Sequence, residues 1–127
     1  MKQKIKTALI SVSDKTDLSK VLKALNKHKI KIISSGGTYK SIKQLGYTCT
    51  EVSDYTGFKE MLDGRIKTLH PKIHAGILHD RSNKKHSKEM SKKKFPSLDL
   101  IIVNFYPFQK IVTNSKNNKE IIESIDI

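Results

Sequence analysis

The chain has 127 residues and a formal net charge of +13. With 36% hydrophobic and 29% charged residues it fits one globular domain with its own core, which excludes a disordered chain. No apolar run approaches the ~20 residues of a membrane helix, and the single cysteine, Cys49, excludes a disulfide framework or a multi-cysteine metal site.

The basic start Met1–Lys6 leads into a short stretch broken by Thr7 and Ser11, with no small-residue cleavage site. No signal peptide is expected, and the cytoplasm is the default location. Almost all the positive charge is lysine; arginine occurs only at positions 65 and 81. Arginine is preferred for bidentate base and phosphate contacts, so nucleic-acid binding is disfavoured. A solvated lysine surface is the plainer reading, and an anionic small substrate is compatible with it.

Residues 7–12 form a short β-branched apolar run and predict a buried strand. A polar turn over 13–17 follows, with several possible helix caps. Leu18, Val21, Leu22 and Leu25 recur at helical spacing, which predicts an amphipathic helix to about Lys29. Residues 30–33 predict a second strand, 34–38 a loop, and 39–45 a helix ended by Gly46. Residues 47–52 predict a third strand. The stretch 53–71 is irregular and rich in reactive side chains. Residues 73–78 read as another strand and 80–94 as a lysine-rich polar helix or lid. Residues 98–103 give the second strong buried-strand signal, and 120–125 begin a last helix or turn.

This alternation predicts an α/β fold with a mostly parallel sheet between helices. Ligands of such sheets sit outside the carboxyl ends of the strands. The polar segments 13–16, 35–38 and 104–106 all follow strands, so they can converge on one edge.

Ser35-Gly36-Gly37-Thr38 lies between a strand and a helix. Glycines let backbone N–H groups face an anion, and the helix dipole favours phosphate. The alternative is an ordinary turn with Thr38 as N-cap. Ser11-Val12-Ser13-Asp14-Lys15-Thr16 holds the same position after the first strand. Alternation puts Ser11 and Ser13 on one side, and Lys15 supplies a charge. The segment lacks the glycine spacing of a Walker loop, and capping by Ser13 or Asp14 is its alternative reading.

Asp63-Gly64-Arg65-Ile66-Lys67-Thr68-Leu69-His70-Pro71 brackets cations, a hydroxyl and an imidazole between a flexible glycine and a rigid proline. Such a loop can hold an anion and bring a lysine to a reacting centre. A solvated basic loop is the alternative. His70 and His74 are separated by Pro71, and no Glu follows His70, so no metal site is expected. Cys49 reads as a buried strand residue rather than a nucleophile. Tyr106 is either a packed aromatic or a site phenol.

Together these segments, with residues 51–58, 60–78 and Asn104-Phe105-Tyr106-Pro107-Phe108, resemble the amino-terminal domain of the bifunctional AICAR transformylase/IMP cyclohydrolase (PurH) family. The resemblance covers nearly the whole chain. It implies a methylglyoxal-synthase-like three-layer α/β domain over residues 1–127, with helices on both faces of the sheet. The implied activity is closure of 5-formamidoimidazole-4-carboxamide ribonucleotide (FAICAR) to IMP with loss of water. Full-length members of that family are multifunctional and also carry AICAR formyltransferase. The resemblance implies no metal or organic cofactor for ring closure; 10-formyltetrahydrofolate would serve only the transformylase domain, which the chain lacks. Ser11, Ser13, Lys15, Ser35, Gly36, Gly37 and Thr38 would bind the nucleotide, chiefly its phosphate. Arg65 and Thr68 would lie against phosphate and base, and Asn104 would contact the base region. Lys67, Tyr106 and Asp126 would be catalytic. A homodimer is implied, with no nucleic-acid or membrane partner.

Asp17 stands where the family usually has glycine, and Phe105 where leucine is common. The chain also stops at Ile127, before the family's Gly-Gly turn and a further site lysine, so it is expected to be an incomplete domain: a fragment or one product of a split gene. Other readings are a regulatory nucleotide- or phosphate-binding module of the same fold, a fragment that only binds nucleotide, and methylglyoxal synthase. Lys67-Thr68-Leu69-His70-Pro71 points away from the last.

Overall fold

A computed structural model describes residues 3–105 and 118–123 of the chain. Its strands are β1 (Thr7–Val12), β2 (Lys31–Ser34), β3 (Thr50–Glu51) and β4 (Leu100–Asn104). The helices are α1 (Leu18–Lys27), α2 (Gly36–Gln44), α3 (Val52–Thr56), α4 (Pro71–Leu78), α5 (Lys84–Lys93) and α6 (Asn118–Glu123). The strands form one parallel sheet in the order β3-β2-β1-β4. β1 lies between β2 and β4, and its apolar residues 8–10 and 12 are buried because helices cover both faces of the sheet.

The faces have separate cores. Ala8, Ile10, Val12 and Ile32 pack against Leu18, Leu22 and Leu25 of α1 and Ile42 of α2. Leu9 and Ile33 point the other way, against Val52 and Tyr55 of α3, Ile73 of α4 and Leu98. The result is the expected three-layer α/β arrangement, with helices on both sides of a parallel sheet. Ile10, Leu22 and Ile33 are fully buried, and each contributes about 1.5–3 kcal/mol of transfer free energy.

Several boundaries differ from the sequence reading. Residues 73–78, expected as a strand, lie in α4. The helix is set by its start: Pro71 takes the first position, and the His70 ring caps it by accepting the Lys72 N–H on Nδ1 at 3.0 Å. Ile73 and Gly76 then face the core one turn apart. The third strand shrinks from 47–52 to Thr50–Glu51: among the described residues it is an edge strand paired only with β2, and Val52 already begins α3. Cys49 sits just ahead of it, half-buried, with its thiol pushed up to about 11 chiefly by burial. It is therefore a poor nucleophile at neutral pH. α2 starts at Gly36 rather than Tyr39, so Gly36, Gly37 and Thr38 form its first turn.

α5 buries only Met90, as its lysine-rich sequence implies. The start of β4 is anchored by Asp99. Its carboxylate accepts the Lys6 and Thr7 N–H groups at 2.8 and 3.1 Å and pairs with Arg81 at 2.7 Å. Among the described residues no helix is long and apolar enough to cross a membrane.

Candidate functional site

The carboxyl ends of β1, β2 and β4 bring three polar segments together. Thr38, in the first turn of α2, is buried beneath the end of β1. Its hydroxyl accepts the Val12 N–H at 3.2 Å and donates to the Val12 carbonyl at 3.0 Å. Ser34, fully buried at the end of β2, donates to the Ile10 carbonyl at 2.6 Å. These hydroxyls fasten β2 and α2 to β1. The Thr38 hydroxyl is thereby committed to the backbone, and what Thr38 can offer an anion is its N–H.

Ser35 precedes α2 in extended conformation, and its side chain makes no capping hydrogen bond to the helix. Its first-turn N–H groups therefore face outward without a side-chain acceptor. Gly36 has φ +55°, where the chain turns from β2 into α2. A Cβ on Gly36 would stand 3.0 Å from the Lys67 ammonium, and one on Gly37 would stand 3.9 Å from that of Lys15. Two ammonium groups thus flank the amino end of an uncapped helix. That is a site for an anion, by dipole and by charge.

Each lysine is aimed by its loop. After β1, the Lys15 ammonium donates to the Val12 and Ser13 carbonyls at 3.2 and 3.5 Å. Asp14 folds back to accept the Thr16 hydroxyl at 2.6 Å and the Thr16 N–H at 2.9 Å. The hydrogen bond from that hydroxyl, then the one from the N–H, hold the Asp14 carboxyl below the usual carboxylate range. Thr16 is thus occupied within the loop. Lys67 follows a tight reversal: Met61 and Ile66 bridge antiparallel, and Arg65 N–H bonds the Leu62 carbonyl at 3.1 Å. Asp63 and Gly64, with φ +56° and +81°, fill the centre of that turn. A Cβ on Gly64 would come within 2.6 Å of Lys67 Cε. The lysine crosses directly over the glycine to reach α2.

This sheet edge and these loops have relatives. Residues 17–127 match the MGS-like domain family. The chain belongs to that family. The MGS-like domain is 48% identical over 123 residues to the bifunctional purine biosynthesis protein PurH of Rhodospirillum rubrum, covering 97% of this chain and 23% of that protein. It is 46% identical over 125 residues to PurH of Bradyrhizobium diazoefficiens, covering 98% of this chain and 24% of that protein. The chain thus spans about a quarter of the length of these curated relatives. The crystal structure of ForH matches with a TM-score of 0.74 at 28% identity, over 80% of this chain and 51% of that one.

Within the MGS-like domain, Lys15, Gly36, Gly37, Thr38 and Lys67 gather at the amino end of α2. Ser11 is exposed near the end of β1, opposite Val103 of β4, and Ser13 is half-buried one residue beyond β1. Arg65 and Thr68 lie in the same loop as Lys67, Arg65 exposed and Thr68 half-buried. Asn104 ends β4 beside Val12, but its amide turns to the backbone of Ser13 and Asp14. Tyr106 and Asp126 lie outside the described residues.

The sequence reading did not single out Ser34 or Glu60. A strand-end serine carries no mark that its hydroxyl serves the neighbouring strand. Glu60 Oε2 lies 3.6 Å from the Cβ position of Gly64, close to where Lys67 crosses. No periodicity signals that meeting, since the reversal at Gly64 creates it. A cavity of about 530 Å³ lies elsewhere, lined by His79, Arg81, Met90, Lys94 and Phe95 and touching none of the strand-end loops. It is formed near the amino end of β4, where the Arg81–Asp99 pair sits. The electrostatics favour the strand-end cradle as the functional site.

Proposed function

We propose that this MGS-like domain binds a purine ribonucleotide through its 5′-phosphate and carries the site that closes FAICAR to IMP with loss of water, the last step of de novo purine synthesis. The observation that carries this reading is the pair of ammonium groups, Lys15 and Lys67, flanking the uncapped amino end of α2. A phosphate there gains helix N–H donors and cationic charge together. The PurH relatives are purine biosynthesis proteins, and a purine ribonucleotide ligand agrees with that.

In the reaction the carboxamide nitrogen attacks the formyl carbon. A carbon–nitrogen bond forms, the formyl oxygen gathers negative charge, and the nitrogen loses a proton. That oxygen takes up this proton, and then leaves as water with a second proton, released from the formamido nitrogen as its carbon–nitrogen double bond forms. The domain would hold the reacting groups at contact distance, which removes much of the entropic barrier. Lys67, whose ammonium reaches the edge of this cradle over Gly36, would turn towards the formyl group to set that ammonium against the developing oxyanion. Tyr106 and Asp126 are proposed for the accompanying proton transfers. Ring closure in this scheme uses no organic cofactor or metal.

The test is FAICAR conversion followed as IMP appearance, with calorimetric binding of IMP measured in parallel. Lys67→Ala should lower turnover by about 100-fold or more, and Tyr106→Phe should also reduce it. Binding of IMP without turnover would assign a nucleotide-binding module instead. Absence of IMP binding would reject both.

A further inference from the structure

We propose that Asn104 is a positioning residue: its amide shapes the Ser13–Lys15 loop, and it acts on the ligand's phosphate through Lys15 rather than by touching the base. The proposal rests on the nucleotide reading above and assigns Asn104 a different part within it.

Asn104 ends β4 and stands in register with Val12, the last residue of β1. Its Oδ1 accepts the Ser13 N–H at 2.6 Å and the Asp14 N–H at 3.0 Å. Its Nδ2 donates to the Asp14 carbonyl at 2.8 Å. The amide therefore grips successive peptide groups, and one N–H is left for any other partner. A carboxylate cannot make this set, because it has no N–H to donate to the Asp14 carbonyl.

What the grip controls lies one residue further on. Lys15 follows Asp14 directly, and its ammonium curls back to the Val12 and Ser13 carbonyls. That curl brings it to 3.9 Å from the Cβ position of Gly37, at the amino end of α2. The loop is otherwise polar and exposed from Asp14 to Asp17, with no apolar anchor of its own. Beside the Lys15 bond to Val12, hydrogen bonding to Asn104 at the end of β4 ties its backbone to the sheet. Asn104 also lies 90 residues from Asp14 in sequence. The end of β4 thereby sets the geometry of the loop after β1, and the phosphate cradle depends on the docking of both strands.

The test compares wild type, Asn104→Ala, Asn104→Asp, Lys15→Ala and the Asn104→Ala/Lys15→Ala double variant. Binding of IMP, inosine and inorganic phosphate is followed by NMR titration, and amide exchange is followed at Ser13 and Asp14. Asn104→Ala should speed exchange at both amides. Asn104→Asp, which still accepts both N–H groups, should restore much of the protection. Asn104→Ala should weaken IMP and phosphate binding on the order of tenfold and leave inosine binding unchanged. The double variant should bind IMP no more weakly than Lys15→Ala alone, the non-additivity expected of residues acting in series. Equal losses for IMP and inosine would mean direct contact with the base and would overturn the proposal. So would unchanged amide exchange in Asn104→Ala, or fully additive losses in the double variant. Failure of the wild type itself to bind IMP or phosphate would instead reject the nucleotide reading, while the exchange data would still decide whether Asn104 clamps the loop.

Discussion

Thr38 holds Val12 by both sides of its backbone, accepting the N–H at 3.2 Å and donating to the carbonyl at 3.0 Å through one buried hydroxyl. The contact joins the first turn of α2 to the last residue of β1, so both loops of the cradle hang from it. Replacing Thr38 by Val keeps the side chain's shape and removes both bonds. A backbone N–H left without a partner in a buried site costs about 1–3 kcal/mol. Urea unfolding of Thr38→Val should show that loss of free energy as a lower midpoint with an unchanged slope. Thr38→Ser keeps the hydroxyl and should lose about 1 kcal/mol, for the methyl group alone. Equal stability of Thr38→Val and wild type would remove this contact from the account.

Gly64 sits under Lys67. Its φ of +81° is one that L side chains rarely adopt, and a Cβ would come within 2.6 Å of Lys67 Cε. Gly64→Ala should cost about 1–2 kcal/mol for the left-handed backbone. Because the clash is with a flexible side chain, Lys67 should swing away rather than the loop unfold. Affinity for IMP should therefore fall on the order of tenfold, the value of a lost charge-assisted contact. Calorimetry on a variant shown to be folded by circular dichroism would read this, and unchanged affinity would mean that Lys67 does not meet the ligand from this position.

Asp17 precedes α1 in the left-handed region, with φ +61°, and its side chain makes no capping hydrogen bond. Its contact with Lys20 at 3.3 Å joins two well-exposed side chains and contributes little. Glycine adopts this backbone conformation without strain. Asp17→Gly should raise stability by up to about 1 kcal/mol through relief of strain, seen as a higher thermal midpoint. A lower midpoint would show that the carboxylate does more than the geometry assigns to it.

Asp99 should govern part of the acid sensitivity. Burial opposes its ionisation, but the hydrogen bond from Arg81 and those from the Lys6 and Thr7 N–H groups prevail and hold the carboxyl below the usual range. A carboxyl lowered on folding stabilises the native state above its unfolded pKa of about 4. That contribution is lost as pH falls through the lower folded value. Wild type should therefore lose thermal stability more steeply as pH falls below about 4 than Asp99→Asn, which has no proton to take up at this site. At neutral pH the variant should be the less stable, since Arg81 keeps its charge and loses its partner. Parallel pH profiles would show that Asp99 is not a source of the acid transition.

Much of this architecture was legible along the chain. The run at 7–12 and the leucine spacing of α1 are local patterns, and their periods report which side is buried. The loops at 13–16 and 35–38 were legible as strand-end segments for the same reason. Residues 73–78 were misread because a short apolar run with β-branched members is compatible with strand or helix. The decision came from the His70 cap and Pro71 ahead of it.

The sequence by itself determined the alternation of strands and helices, the side-chain chemistry of each strand-end loop, and the family. These depend on residues near one another in the chain. Tertiary structure alone decided which polar groups remain available to a ligand. Thr38 and Asn104 read equally well as ligand contacts until their partners at Val12, Ser13 and Asp14 are seen. Lys67 becomes a partner of Gly36 only when its reversed loop is laid across the sheet edge. A hydrogen-bonding side chain takes whatever partner the fold brings within about 3 Å, and parallel packing of β4 beside β1 supplied Asn104 with partners some 90 residues away.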